Sequence, residues 1–299
     1  MKKYWIIFLF VVINFSQQSI ILRREVYKKP PLNRKPSYPF ITGDGFRALA
    51  QHILDQEKCF NPKNVQKKDI IFLKTDYLKY FFEKMFPKIK NNFILITHNS
   101  DYSAPQNYSA YLDDSRIIKW FAQNVEIYSH PKLIPIPIGL ENRYKSRGAQ
   151  IKRIEAFISQ YTKNTARNIF VYANIANTHP NRSTLKALLS SQRHICWSER
   201  KPFFHYLKDL SRSIFVLSPS GHGLDCHRTW EALLLGAIPI VKTSSLDPMF
   251  QDLPVVIVKN WEELTKEFLE QKLQEFKKLP FNMEKIYFGY WKNLIQETN

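Results

Sequence analysis

Apolar positions along this chain follow two spacings. Short solid runs read as buried strands: Ile70-Ile71-Phe72-Leu73, Phe93-Ile94-Leu95-Ile96, Ile169-Phe170-Val171-Tyr172-Ala173, Ile214-Phe215-Val216-Leu217, Ile238-Pro239-Ile240-Val241 and Val255-Val256-Ile257-Val258. Between them the spacing turns helical. Phe46, Leu49, Ala50 and Ile53 form one stripe of a predicted helix over 46–54. Further helices are predicted over 78–86, 117–124, 151–161, 184–189, 202–210, 261–278 and 287–295. Ile127-Tyr128 and Leu133 to Gly139 supply two more extended pieces. Strands alternating with helices imply βαβ units and a mainly parallel sheet. A charged, turn-prone stretch from Tyr144 to Gly148 divides a first α/β domain (41–150) from a second (151–280), with a terminal helix over 281–299.

One stretch, Phe215 to Val241, organises the rest. A strand breaks at Ser218-Pro219-Ser220-Gly221-His222-Gly223, and a helix follows with Asp225 in N-cap position and Arg228 to Leu235 as its body. Trp230, Leu233 and Leu234 bury one face, Gly236 suits the left-handed C′ position, and Pro239 suits the start of a strand. Arg228 and Glu231 share a different face of that helix. A helix N-terminus and a forked guanidinium suit a diphosphate, whereas a carboxylate beside them suits the hydroxyls of a ribose. An ordinary intrahelical Arg–Glu pair has the same spacing.

Ligands of parallel sheets bind beyond the C-terminal strand ends. Three polar clusters fall there in the first domain: Lys74-Thr75-Asp76, Thr97-His98-Asn99-Ser100-Asp101 and Glu141-Asn142-Arg143. In the second domain the first such loop runs from Asn174 to Ser183 and carries Arg182.

The segment with Arg228, Glu231, Ala232, Gly236 and Pro239 resembles the donor-binding region of GT-B glycosyltransferases. It is most similar to the exostosin-like family and the related ribitol xylosyltransferase group. KTDY (74–77), the 97–102 segment and PIGLENR (137–143) also look like that family, so the resemblance covers most of 41–292. It implies a GT-B-like fold, two Rossmann-like domains facing a cleft, and transfer of a sugar from a nucleotide-diphosphate donor to a glycan acceptor. It implies donor contacts at Arg228, Glu231, Gly221, Gly223, Asp225, His227, Arg182 and Ser218, and an acceptor side at Asn99, Asn142 and Arg143. The reaction needs a base from the first domain, and Asp101 ranks ahead of His98. The family inverts the anomeric carbon, which requires one base. No Asp-x-Asp motif stands in the sequence, so no cofactor and no divalent metal is expected; arginine and helix dipole would carry the charge.

Composition adds two constraints. The formal charge of +18 fits an anionic donor, acceptor or membrane surface, and no motif that reads nucleic acid is present. Part of it is local: residues 1–40 hold eight Lys or Arg against the single acid Glu25. Lys2-Lys3 followed by the apolar run Tyr4 to Phe15 reads as a signal peptide or signal anchor over 1–22, which implies a membrane-associated or secretory location. Residues 23–40, with four prolines, read as a basic stem. Cys59, Cys196 and Cys226 are far apart and lack metal-site spacing, so they are expected to be buried thiols. A non-catalytic nucleotide- or sugar-binding protein of the same fold, and a basic membrane-surface scaffold, remain competing readings.

Overall fold

A computed structural model describes residues 32–162, 165–177 and 179–298, and residues 33 onward form one compact unit. The predicted leader over 1–22 and the stem up to residue 31 lie outside the described residues. Two five-stranded sheets, each wholly parallel among the described residues, give an α/β fold of two lobes.

The first lobe runs α1 (Gly43–Arg47), β1 (His52–Leu54), β2 (Asp69–Lys74), α2 (Leu78–Tyr80), β3 (Phe93–His98), β4 (Ile117–Ala122) and β5 (Leu133–Pro135). Its strand order, β1-β2-β3-β4-β5, follows the sequence without reversal. After α3 (Ile151–Tyr161) the second lobe runs β6 (Ile169–Ala173), α4 (Pro180–Leu189), β7 (Ile195–Trp197), α5 (Phe203–Ser211), β8 (Ser213–Leu217), α6 (His227–Leu234), β9 (Ile238–Lys242), α7 (Asp247–Phe250), β10 (Val256–Val258), α8 (Lys266–Phe276) and α9 (Phe288–Glu297). Its order is β10-β9-β8-β6-β7, so the chain changes direction across the sheet between β6 and β8. Such a reversal opens a crevice at the C-terminal strand ends, because the loops on either side leave in opposite directions.

Helix α6 is held between the lobes. Trp230, Leu233 and Leu234 join the apolar cluster of the first sheet, while Ala232 and Leu235 pack with Leu207, Leu210 and Val216 of the second lobe. Helix α9 returns to the first lobe, where Phe288 meets the ring of Phe46 at 5.2 Å.

Several sequence expectations change. Residues 117–122 of the helix predicted over 117–124 form strand β4 instead: a strand buried on both faces shows a continuous apolar run that periodicity cannot separate from a helix. The helix over 46–54 stops at Arg47, and His52–Leu54 pairs with β2. The long helix over 261–278 is broken. Asn260 and Glu263 form a capping box around a single 3₁₀ turn, and Thr265 caps α8 anew. Strand β7 had no apolar run long enough to show. Cys226, not Asp225, is the N-cap of α6, and Pro239 is the second residue of β9. Gly236 does take φ +71° after α6. The stem assignment fails for 33–40. Arg34 pairs with Asp44 at 2.9 Å, Ser37 and Phe40 are buried, and Phe40 bridges to Tyr287.

Candidate functional site

Two neighbouring cavities of about 940 and 920 Å³ open along the gap between the lobes. The first is built mainly by the second lobe at its β6/β8 reversal, the second by the strand ends of the first lobe. Asp101, Ile138, His222 and His227 line both.

Arg228 and Glu231 both face the first cavity. The intrahelical ion pair that their spacing allows is absent among the described residues. Glu231 is buried, and its Oε2 accepts from the Tyr206 hydroxyl at 2.8 Å, with Arg147 Nη1 3.9 Å from Oε1. Burial, then the charge of Glu231, pushes the Tyr206 phenol well up, so it stays a donor. Arg228 Nη2 donates to the carbonyl of Asn174 at the end of β6, 2.8 Å away. Its Nε and Nη1 are buried with no hydrogen-bond partner among the described residues. Buried cationic donors without acceptors are costly, which marks this as a place built for an acceptor-rich ligand.

Arg182, expected on the donor phosphates, serves the loop. Its Nε donates to Ser220 O at 2.9 Å and its Nη2 to Pro219 O at 3.2 Å, within reach of Cys226 Sγ at 3.5 Å. Both glycines line the first cavity and make room in the loop. Gly221 N donates to Gly223 O, and a Cβ on Gly221 would sit 2.9 Å from Arg182 Nη2. A Cβ on Gly223 would sit 2.5 Å from Asn124 Nδ2 in the first lobe. Ser218 is buried with its Oγ on Thr229 Oγ1 at 2.9 Å and lines neither cavity. Burial raises the Cys226 thiol, which disfavours its thiolate, whereas Cys59 and Cys196 are exposed, contrary to the expectation of three buried thiols.

Asp225 ties the lobes. Its carboxylate accepts from Ile138 N at 2.7 Å, Cys226 N at 2.8 Å and Trp230 Nε1 at 2.8 Å, and its own N–H donates to Asn124 Oδ1 at 3.0 Å. Burial nevertheless pushes its pKa up to about 6, since desolvation outweighs the three N–H bonds. His227 Nδ1 bonds the Gly139 carbonyl at 2.6 Å, another link between lobes.

In the first-lobe wall His98, Asn99 and Asn142 bond one another, backbone and Asp44, whose Oδ2 is buried without a partner among the described residues. His98 is buried; its Nε2 bonds Pro137 O at 3.0 Å and its Nδ1 accepts from Asn99 N at 2.7 Å. Burial lowers its pKa to about 4. With both nitrogens taken, His98 has none to face an acceptor, contrary to its expected role as a base. Asn99, at φ +61°, donates through Nδ2 to Asp44 Oδ1 at 3.2 Å and accepts from Asn142 Nδ2 at 2.8 Å. Asn142 in turn accepts from Asp44 N at 2.8 Å. Arg143 lines neither cavity and donates to Ser37 Oγ at 3.3 Å. Asp101 is exposed at the junction of the cavities, and no described residue bonds its carboxylate. Among the described residues no group of three His, Cys, Asp or Glu is placed to hold a metal, and no helix is long and apolar enough to cross a membrane.

Sequence reasoning missed Asn174, Arg147 and Tyr206. Asn174 could have been found, because it directly follows a strand flanking the reversal. Tyr206 and Arg147 reach Glu231 only through packing and had no local signal.

These features define a two-lobed α/β protein with a polar, arginine-bearing cleft at a topological reversal. No family model matches the chain, and no curated protein matches it. Among solved structures it is similar to one titled "Crystal structure of GtfA/B complex", at 12% identity and a TM-score of 0.37. The alignment covers 78% of this chain and 58% of that chain, so this chain spans less than two thirds of its neighbour's length.

Proposed function

We propose that this protein is a glycosyltransferase of the GT-B type, moving a sugar from a nucleotide-diphosphate donor to a glycan hydroxyl. The observation that carries this reading is Arg228, which lines a polar cavity at the β6/β8 reversal and holds two buried donors with no partner among the described residues. A leaving diphosphate offers the acceptors those donors lack, and the guanidinium meets the negative charge that grows as the glycosidic bond breaks. The N-terminal end of α6 adds partial positive charge there. Glu231, fixed by Tyr206, is suited to a ribose hydroxyl pair. The second cavity takes the acceptor, and the two substrates meet where the cavities join, beside Asp101 and His227. One base acting at the junction gives inversion. The exostosin-like resemblance supports the same donor site, and the basic, apolar N-terminus supports a membrane or secretory location.

The test is a thermal-shift screen of the full-length protein against nucleotide sugars, followed by a transfer assay. A stabilising donor is expected for the wild type and not for Arg228→Met. Equal donor binding by the variant would remove the site assignment, and no response from the wild type would remove the function.

A further inference from the structure

His98, Asp101 and His227 are three of the ionisable side chains that line the second cavity, and their surroundings differ. His98 has both nitrogens bonded. Asp101 is anchored only through its main chain, where its carbonyl accepts from Asn124 Nδ2 at 3.3 Å. Its carboxylate is exposed, and no described residue holds it in one orientation. His227, the first residue of α6, is held by its ring. Its Nδ1 lies 2.6 Å from the Gly139 carbonyl oxygen. A carbonyl only accepts, so Nδ1 carries the proton, and the lone pair of the neutral ring is on Nε2. No described residue bonds Nε2, and the residue lines both cavities. Gly139 itself is fixed at φ +63°, packed so tightly that a Cβ would lie 2.2 Å from Ile41 O. The carbonyl that selects the tautomer is therefore rigid.

We propose that His227 Nε2 is the general base. The inference rests on the glycosyl-transfer reading and deepens it by naming the group that takes the proton. In the step, the acceptor O–H gives its proton to Nε2 while that oxygen forms a bond to the anomeric carbon. The bond from the anomeric carbon to the donor phosphate oxygen breaks, and its electron pair leaves on the nucleoside diphosphate beside Arg228. The imidazolium then returns the proton to water. The ionisable groups acting on the ring are Asp225 from its own loop and His98 from β3, the latter neutral at physiological pH.

The experiment compares His227→Ala, His227→Gln and Asp101→Asn in the full-length protein, reading donor thermal shift, kcat and KM, with and without added imidazole. The glutamine amide takes the place of Nε2 rather than Nδ1 and lacks the basic nitrogen, so the ligand-free melting temperature of the variant checks that the lobes stay linked. Both His227 variants are expected to keep the donor shift and lose roughly 10²–10⁴-fold in kcat. Added imidazole should restore part of the activity of His227→Ala, an effect that a purely structural role would not produce. Asp101→Asn is expected to lose less kcat than either His227 variant, because its carboxylate is not the group that takes the proton. Transfer retained in His227→Gln, or a deep loss in His227→Ala with no imidazole rescue, would overturn the assignment while leaving the functional reading in place. A wild type that binds no nucleotide sugar would overturn both.

Discussion

The two walls of the cleft use their polar groups in opposite ways. In the first lobe, His98, Asn99 and Asn142 spend their side-chain donors and acceptors on one another, on Asp44 and on backbone. In the second lobe, Arg228 keeps two buried donors open and Glu231 keeps one oxygen with only a distant guanidinium. The same contrast separates the two arginines of the first cavity: Arg182 is bonded to loop carbonyls, and Arg228 to a single one. A satisfied network fixes shape, whereas an unsatisfied buried cation stores binding energy for a ligand. The first wall thus reads as scaffold and the second as grip.

The largest effect should come from opening the scaffold. Asp44→Ala strips Arg34 and Asn99 of their shared acceptor and leaves a largely buried guanidinium. A loss of about 3–5 kcal/mol, read from urea unfolding, is expected for breaking such a pair. A chain beginning at Ser37 lacks Arg34 and should be destabilised in the same direction. If Asp44→Ala unfolds like wild type, the first wall is not the rigid one.

Arg228→Met attacks the grip. Transfer should fall about 10²–10³-fold, as for removal of one charge-stabilising donor. The ligand-free protein should be no less stable, and even more so, because an unpaired buried cation is gone. Arg182→Met should behave inversely, with lower stability in the absence of donor. Loss of stability in both would erase the contrast.

Acidification tests the two buried titrating groups. His98 ionises at about 4 when folded against its ordinary 6.5, so the unfolded chain binds the proton first, and stability falls as pH drops from 6.5 toward 4. Asp225 ionises at about 6 when folded against an ordinary 3.8, so the folded chain binds the proton first, and stability rises as pH falls through 6. Each amounts to about 3 kcal/mol, so they should nearly cancel in the wild type. His98→Gln, which can keep both hydrogen bonds, should expose the Asp225 gain as rising stability from pH 7 to 5. A flat profile in that variant would break this balance.

The smallest effect is expected at the loop. Gly221→Ala pushes a methyl to 2.9 Å from Arg182 Nη2. A cost of about 1 kcal/mol, with donor affinity little changed, would match a loop braced by Arg182.

Much of the second lobe was legible. Strands β6, β8 and β9 show as apolar runs, Gly236 marks its left-handed turn, and Arg228 and Glu231 fall on one cavity as their spacing implied. The first lobe was harder. Strand β4 is buried on both faces and hid as a helix, and β1 was absorbed into the stripe of α1. Arg34 looked like one more charge in a proline-rich stem, because its partners Asp44 and Glu57 are distant in sequence. Arg182 and the glycines were legible as a loop cluster, but their roles were not, since only packing shows what a guanidinium or an added Cβ would meet.

The order of strands and helices, the turn glycines and the shared face of Arg228 and Glu231 were set by local sequence, because propensity and side-chain spacing act over a few residues. The reversal between β6 and β8, the hydrogen-bond network around Asn99 and the tautomer of His227 were decided only by the tertiary structure. Each depends on groups far apart in sequence, such as Gly139 and His227, that meet when apolar burial closes the lobes on α6.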